Sequence, residues 1–325
     1  MRDQIPTTMR AAQADSFGDP SVLQVRDVPL QAPRADRALV RMVATTVNPL
    51  DLEARRGELR AVKRPPVGTG LDVCGHVVAA DPRWNGPRIG LPVWGGLGGL
   101  PVKGLMAAAE YVEVRSGSVV EAPTRIPLTE AAALPVVALS AYLGLRALKL
   151  RPGARLLIRG ARGGVGTAAI QIARHMGANV VALCSPRNSD LCLSLGAQET
   201  IDYHSLDWDD LDPVDAGLDL VGGDGLARLA RVVRRGGRAA AVVPDRPGAI
   251  LAAVLPGRTS IRPVFALSSR RHLNELARLI DLGHLTPVIA RCFPLAHIAE
   301  AHHHLEADPA PGKRVIDIVP RLGTS

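Results

Sequence analysis

The sequence predicts an α/β protein that combines an irregular β-domain with a doubly wound parallel sheet covered by helices. Residues 155–243 alternate short apolar runs with helical patterns, the arrangement that gives a parallel sheet with helices on both faces. Residues 22–119 instead carry short strand patterns separated by turn signals, as in a partly open β-barrel. With 325 residues, the chain is long enough for two such domains.

The elements are predicted in chain order from these patterns. The β-domain is predicted to contain strands at 22–30, 38–47, 75–82, 91–95 and 109–114. A long apolar helix capped by Thr129 is predicted over 128–148. The alternating region is predicted to hold strands at 155–159, 179–184, 197–201, 217–221, 238–243 and 260–267, with a helix at 167–176. The remaining elements are two amphipathic helices at 272–282 and 295–306 and a strand at 314–319.

Composition and charge exclude several classes of function. The net charge is +8, but the basic residues are scattered in groups no larger than adjacent pairs, and the chain has only nine aromatic residues. This composition argues against nucleic-acid binding, which uses basic clusters and stacking platforms. The four cysteines form no CxxC pair, so we expect free thiols. No stretch has the pattern of a signal peptide or membrane span, and we expect a cytoplasmic protein.

A glycine-rich loop joins the predicted strand at 155–159 to the predicted helix at 167–176. In this context, Gly163 and Gly164 let the backbone approach a pyrophosphate, because neither carries a Cβ atom. Gly166 would allow the helix to pack closely on the strand. The first N–H groups of the helix and its dipole favour phosphate. The loop therefore predicts a dinucleotide-binding βαβ unit.

The end of the next strand indicates which dinucleotide binds. Sites that prefer NAD carry an acidic residue there, which holds the ribose hydroxyls. Here the strand ends Cys-Ser-Pro-Arg-Asn, and the first carboxylate is Asp190. The Ser185 hydroxyl and the Arg187 guanidinium suit a 2′-phosphate, so we predict NADPH. The alternative, that Arg187 is only a solvated loop residue, stays open.

Several segments, taken in their order and spacing, also carry a family resemblance. They include VNPLD, GLDVCGHVV, AEYVEV, EAAALPVVALSAY, GGVGTAAIQIARHMGA, LGAQETIDY, LDLVGGDGL, LIDLGHLTPVI and GKRVIDI. Over about residues 9–319, the chain resembles the zinc-independent medium-chain dehydrogenase/reductase superfamily, in its quinone oxidoreductase (zeta-crystallin-like) branch. The resemblance implies a GroES-like catalytic domain at 1–124, a Rossmann NADP-binding domain at 125–266, and a return to the catalytic domain at 267–325.

The resemblance also implies individual cofactor contacts and an assembly. Arg162 would belong to the phosphate loop, although related proteins have a smaller residue there, commonly Ser. Tyr203 would lie near the adenine, and a homodimer would form through the strand edge at 260–267. The full set of implied cofactor-binding residues is Ser140, Arg162, Gly163, Gly164, Val165, Ser185, Arg187, Tyr203 and Phe265.

No metal is predicted. Zinc-using relatives have a Cys in the segment that here reads VNPLD and a GHE motif where this chain has Gly70-Leu71-Asp72. Leu71 cannot ligate zinc, and a catalytic site needs three protein ligands. Cys74 and His76 lack an evident third partner. Residues 302–304 are three consecutive histidines, which point about 100° apart on a helix, so we interpret them as a solvated face.

Without a metal, hydrogen-bond donors must polarise the substrate oxygen. Asn48 and Asp51 are the catalytic candidates, Asn48 as donor and Asp51 as its partner or as a ribose contact. The alternative is that the Asn-Pro pair only shapes a turn and that Asp51 caps a helix. We predict an NADPH-dependent reductase of quinones or α,β-unsaturated ketones. The other candidates are an enoyl reductase of polyketide or carrier-bound intermediates, and a low-turnover NADPH-binding structural or RNA-associated protein.

Overall fold

The structure is a computed structural model that describes residues 5–61, 63–98, 106–242, 259–264, 267–308 and 310–318. The chain divides into two compact units. The first unit comprises residues 1–136, 267–283 and 287–325, and the second comprises 137–266 and 284–286. In the described part of the chain, no helix is long and apolar enough to cross a membrane.

The first unit is built on two sheets. The three-stranded sheet has the order β2-β1-β4, and its strands are β1 (Thr8–Ala14), β2 (Leu23–Pro29) and β4 (Val67–Gly68). The seven-stranded sheet has the order β15-β16-β3-β5-β6-β8, with β7 paired to β3. Its strands are β3 (Arg37–Val47), β5 (Asp72–Ala80), β6 (Pro92–Gly96), β7 (Tyr111–Arg115), β8 (Val119–Glu121), β15 (Ile289–Pro294) and β16 (Lys313–Asp317). The predicted irregular β-domain is confirmed, and the C-terminal strand completes it.

Short helices cover this β-unit. They are α1 (Pro49–Arg56), α2 (Leu128–Ala131), α7 (Arg270–Asp281) and α8 (Ile298–Ala307). The core of this unit is apolar and includes Val40, Met42, Val73 and Phe293, all nearly inaccessible to solvent. Strands β3 and β16 pair antiparallel, with Val47 opposite Arg314, which brings the start of α1 beside β16.

The second unit is a parallel six-stranded sheet with helices between its strands. The strands are β9 (Arg155–Arg159), β10 (Asn179–Cys184), β11 (Glu199–Asp202), β12 (Val214–Asp219), β13 (Val233–Ala241) and β14 (Ser260–Pro263). The helices are α3 (Pro135–Leu148), which begins in the first unit, α4 (Gly164–His175), α5 (Ser189–Leu195) and α6 (Gly225–Val232). The order β11-β10-β9-β12-β13-β14 places the first three strands in reverse, as in a Rossmann fold. The predicted doubly wound sheet is confirmed.

The predicted single helix over 128–148 is wrong. The chain forms α2 and then α3, and Pro135 is the first residue of the second helix, where a missing N–H is tolerated. Thr129 lies inside α2, whose cap is Pro127. The N–H of Val136 donates to Oδ1 of Asp72 at 2.8 Å. The first compact unit extends to Val136, whereas the resemblance implies a boundary at residue 124. The assignment of the units as catalytic and NADP-binding domains stays a prediction.

Candidate functional site

The glycine loop between β9 and α4 is a closely packed turn. Gly160 has φ +88°, a conformation that glycine adopts without strain. The N–H of Gly163 donates to the carbonyl oxygen of Gly160 at 3.3 Å, and the N–H of Thr167 donates to Gly163 at 2.9 Å. A Cβ atom on Gly166 would lie 2.3 Å from the Gly160 oxygen. Gly166 therefore permits the close approach of helix and loop that the sequence predicts.

The face of the loop at Gly163 is open. A Cβ atom there would have its nearest neighbour at 3.6 Å, the oxygen of Gly160. Gly164 and Val165 begin α4, and the first N–H groups of a helix have no partner within it. Bare backbone, free N–H groups and the positive end of a helix dipole together fit a pyrophosphate.

A cavity of about 560 Å³ lies next to this loop. It is bounded by the carboxyl ends of β9, β10 and β12, the edge at which parallel α/β sheets bind nucleotides. Its lining residues are Arg159, Gly160, Arg162, Leu183, Cys184, Tyr203, Trp208, Val221, Gly222, Gly223, Asp224, Gly225 and Arg228.

The cavity has an apolar wall. Tyr203 and Val221 are both in the lining, and 46% and 53% of their surfaces are exposed. Large apolar groups left open to solvent inside a cavity favour a ligand with a flat apolar face. Trp208 also lines the cavity and packs on the core of this unit. An adenine ring fits this wall.

The cavity is also basic. Arg159, Arg162 and Arg228 line it, and Asp224 is the one carboxylate among the lining residues. Asp219, which lies behind the lining, pairs with Arg159 at 3.0 Å. Burial raises the pKa of Asp219, while hydrogen bonds from the backbone and the Arg159 charge act in the opposite direction. The remaining positive charge suits a phosphorylated ligand.

The predicted cofactor residues fall into groups. Arg162 and Tyr203 line the cavity, and residues 163–165 lie at the start of α4. Ser185 and Arg187 follow β10 but do not line the cavity. The Ser185 hydroxyl oxygen accepts a 2.8 Å hydrogen bond from Asn188, and Arg187 is exposed.

Two predicted residues are not among the described residues that line the cavity. Ser140 is buried on α3 and is not part of the lining. Phe265 lies outside the described residues. Their roles as cofactor contacts stay predictions.

In the first unit, Asn48 and Asp51 belong to the start of α1. The Asp51 carboxylate accepts hydrogen bonds from the N–H of Asn48 and from the N–H of Gly70, both at 2.8 Å. Asp51 is thus the third residue of a capping box whose N-cap is Asn48, in agreement with the alternative that Asp51 caps a helix. Burial raises its pKa, against the two backbone bonds and the charges of Lys63 and Lys313. A catalytic role for either residue stays a prediction.

The side chain of Asn48 is part of a buried polar network. Its Nδ2 donates to Oδ2 of Asp72 at 3.0 Å, and its Oδ1 accepts from Nζ of Lys313 at 2.6 Å. Lys313 also donates to the carbonyl of Val47 at 3.1 Å. Thr46 donates through its hydroxyl to the same Asp72 oxygen. Burial lowers the pKa of Lys313, while Asp72 and Asp51 raise it.

Cys74, three residues after the Leu71 that replaces a zinc ligand of related enzymes, does not belong to a metal site in the described chain. The Cys74 thiol donates to the carbonyl of Leu128 at 3.1 Å, and burial raises its pKa strongly. A cysteine that binds a metal must be a thiolate, and the burial of Cys74 opposes its ionisation. Among the residues that the structure describes, no three His, Cys, Asp or Glu side chains are grouped to hold an ion.

The prediction that residues 302–304 form a solvated face is wrong for two of the three histidines. His302 is fully buried, and its Nε2 lies 3.0 Å from the Thr69 hydroxyl. His304 accepts at Nδ1 from Nε of Arg314 at 3.1 Å and is only 15% exposed. His303 alone is exposed. Helix α8 lies against the β-unit on two of its faces, so its polar residues are divided between interior and surface.

Of the cavity residues, sequence reasoning named only Arg162 and Tyr203. Four that it missed are Arg159, Trp208, Val221 and Arg228. Two of them could have been found, because Arg159 ends β9 and Val221 follows β12, and ligands bind at strand carboxyl ends in such sheets. Trp208 lies in an irregular segment and Arg228 on the second turn of α6. No local sequence signal marks either of these as a cavity residue.

Comparison with known proteins gives matches along most of the chain. Residues 34–124 match the alcohol dehydrogenase GroES-like domain, and residues 195–316 match a domain described as zinc-binding dehydrogenase. A 2-methylene-furan-3-one reductase of Solanum lycopersicum is 32% identical over 97% of this chain and 81% of its own length. An NADPH-dependent alkenal/one oxidoreductase, chloroplastic, of Arabidopsis thaliana is 29% identical over 97% and 81%.

A solved structure also matches most of the chain. The quinone oxidoreductase from Coxiella burnetii matches with a TM-score of 0.89 and 30% identity, covering 96% of this chain and 100% of that one.

Proposed function

The chain belongs to the medium-chain dehydrogenase/reductase superfamily of oxidoreductases, and we propose that it transfers a hydride from NADPH to a quinone or an α,β-unsaturated ketone without a metal ion. The names of its relatives support both acceptor classes, since they include a furanone reductase, an alkenal/one oxidoreductase and a quinone oxidoreductase. The single observation that carries the proposal is the basic, aromatic-walled cavity beside the glycine loop.

The residues around this cavity fit a phosphorylated dinucleotide. The open backbone at Gly163 and the first turn of α4 would hold the pyrophosphate. Tyr203 and Val221 would enclose the adenine. When bound, the reduced nicotinamide supplies the hydride, and the chain supplies binding and orientation.

The preference for NADPH over NADH is supported by the residues after β10. The strand ends at Cys184 and is followed by Ser185, Pro186 and Arg187, with no carboxylate to repel a 2′-phosphate. Arg187 is exposed and has no hydrogen bond from its guanidinium to the described residues. An unengaged guanidinium can bind phosphate with two parallel N–H donors.

The metal-free chemistry is supported by Leu71, which replaces a zinc ligand of related enzymes, and by Cys74 nearby. Cys74 is a buried thiol that donates a hydrogen bond, and Leu71 has no donor atom for a metal. Hydrogen-bond donors would therefore stabilise the charge that develops on the acceptor oxygen. The amide of Asn48 already bonds to Asp72 and Lys313, and its role as such a donor stays a prediction.

The first test is nucleotide binding, which is monitored through the tryptophan fluorescence of the protein. Trp208 lines the cavity, whereas Trp84 and Trp94 belong to the other unit. We expect NADPH to quench the emission of the wild type, to quench that of Trp84→Phe equally, and to quench that of Trp208→Phe much less. We expect NADH to bind more weakly. Equal affinities for NADPH and NADH would contradict the 2′-phosphate assignment.

The second test is turnover. NADPH oxidation is followed at 25 °C with a panel of quinones, enones and carrier-linked enoyl thioesters, after treatment of the enzyme with a chelator. We expect quinones or enones to be reduced without added metal. Turnover confined to the thioesters would favour the enoyl reductase, and tight binding with no turnover would favour the non-catalytic protein. Cytoplasmic location and a homodimer stay predictions.

A further inference from the structure

Arg159 is held in one orientation at the end of β9. Its Nη1 donates to Oδ1 of Asp219 at 3.0 Å and to the carbonyl oxygen of Gly222 at 2.7 Å. Strands β9 and β12 are neighbours, with Arg159 directly opposite Asp219. The guanidinium therefore joins the glycine loop to the loop that follows β12.

Asp219, the partner of Arg159, is itself held in place by the backbone. Asp219 is buried, and its Oδ1 also accepts from the N–H of Val221 at 3.1 Å. A carboxylate held by backbone donors provides a rigid partner for an arginine. The position of Gly225 is matched to this arrangement, because a Cβ atom there would lie 1.9 Å from Nη1 of Arg159. The chain leaves room for the guanidinium where any other residue would displace it.

The rest of the guanidinium is available to a ligand. Arg159 lines the cavity, and 24% of its side chain is exposed. An arginine has five N–H donors. The two hydrogen bonds described for Arg159 both come from Nη1, which leaves the donors on Nε and Nη2. An arginine that is oriented before a ligand arrives loses little entropy on binding it.

We propose that Arg159 is a cofactor-binding residue that donates to the pyrophosphate of the dinucleotide, with Asp219 as the residue that positions it. This inference rests on the proposed function. The pyrophosphate is favoured over the 2′-phosphate because Arg159 directly precedes the glycine loop, at Gly160, whereas the 2′-phosphate candidates Ser185 and Arg187 follow another strand and lie outside the cavity lining.

The test measures the affinities of full-length Arg159→Met for NADPH, NADH and ADP-ribose by titration calorimetry. All three ligands contain the pyrophosphate, so we expect all three to bind about ten- to a hundredfold more weakly, the range for loss of a charged hydrogen bond. The ratio of NADPH to NADH affinity should not change. Arg159→Lys, which keeps the charge, should restore part of the affinity.

Two further variants separate binding from a purely structural role. Gly225→Ala keeps the guanidinium but displaces it, so it should weaken the same three ligands. Arg155→Met is the matched control. Arg155 lies on the same strand as Arg159, but it pairs with Glu199 at 2.9 Å and does not line the cavity. This substitution should leave all three affinities unchanged.

The outcomes distinguish this inference from the proposed function. If the wild type binds the dinucleotides and Arg159→Met binds them equally well, the assignment of Arg159 is overturned while the proposed function stands. If Arg159→Met weakens NADPH alone, Arg159 contacts the 2′-phosphate and the pyrophosphate assignment is overturned. If the wild type binds none of the three ligands, both proposals fail.

Discussion

The ammonium group of Lys313 donates a 2.6 Å hydrogen bond to Oδ1 of Asn48, a residue 265 positions earlier in the chain. Asn48 in turn donates to Asp72, whose Oδ2 lies 3.8 Å from the same ammonium group. The three side chains are almost inaccessible to solvent. This network joins the last strand of the first unit to the start of α1, and it offsets the charge of a buried carboxylate.

Lys313→Met should destabilise the protein strongly. The methionine fills a similar volume, but the Asp72 carboxylate would be buried without a cation, and removal of one partner of a buried pair costs about 3–5 kcal/mol. The free energy of unfolding, measured by urea denaturation, is the readout. Lys149→Met is the control, because Lys149 is exposed and its loss should change stability by less than about 0.5 kcal/mol. Equal effects of the two substitutions would contradict the network's role.

Asp51→Asn tests whether Asp51 acts as a cap or in catalysis. Both carboxylate oxygens accept backbone hydrogen bonds. We therefore expect a loss of about 1–2 kcal/mol in stability, typical of a weakened cap, with kcat per folded molecule changed by no more than a few fold. Steady-state kinetics and urea unfolding on the same preparation measure both. A large loss of kcat at unchanged stability would instead support the catalytic role predicted from the sequence.

Gly163→Ala and Gly166→Ala should have different effects, although both remove a glycine from the same loop. A Cβ at position 163 meets nothing closer than 3.6 Å, so the variant should fold normally but hinder the approach of a pyrophosphate, and NADPH and NADH affinity should fall together. A Cβ at position 166 would lie 2.3 Å from the Gly160 oxygen, so this variant should lose stability as well. Thermal unfolding with and without NADPH separates the two effects. Normal NADPH affinity in Gly163→Ala would contradict the pyrophosphate cradle.

The elements of the second unit were predictable because local signals agree there with the tertiary structure. Strands β9 and β10 have the bounds that the apolar runs predict. Helix α4 was predicted, but it begins at Gly164, three residues before the predicted start. The break between α2 and α3 was not predicted. The apolar pattern continues through it, and it is Pro135, with the hydrogen bond from the next residue to Asp72, that fixes the start of the second helix.

The buried polar network could not be predicted in the same way. Lys313 and Asp72 are charged residues in strand segments, and sequence patterns assign such residues to the surface. Their burial depends on the antiparallel pairing of β16 with β3, which joins segments more than 260 residues apart. His302 was misassigned for the same reason, since its partner Thr69 comes from another part of the chain.

Arg187→Met should change cofactor selectivity rather than general binding. If the guanidinium binds the 2′-phosphate, its removal should weaken NADPH by about ten- to a hundredfold and leave NADH unchanged, because only NADPH carries that phosphate. Dissociation constants from fluorescence titration at fixed ionic strength measure the ratio. Arg235→Met is the matched control, as it removes an exposed arginine of the same unit. An unchanged ratio in Arg187→Met would show that Arg187 is a solvated loop residue.

His302 should make the protein less stable as the pH falls. Burial, with a contribution from the Arg55 charge, lowers its pKa from 6.5 to about 3 in the folded state. Between these values the unfolded chain binds a proton that the folded chain does not, so acid favours unfolding by at most about 1.4 kcal/mol per pH unit. Stability from this group is therefore complete above pH 6.5 and is lost progressively below it.

The variant His302→Gln isolates this contribution, since glutamine can still bond to Thr69 and does not titrate. Urea unfolding of wild type and variant is measured at pH 7, 6 and 5. The free energy of unfolding should fall more steeply for the wild type, so that the variant gains stability relative to the wild type with each step down in pH. His303→Gln is the control, because His303 is exposed on the same helix, and it should follow the wild type. Parallel curves for wild type and His302→Gln would mean that the buried imidazole accepts a proton without cost, which its contacts with Thr69 and the nearby Arg55 charge argue against.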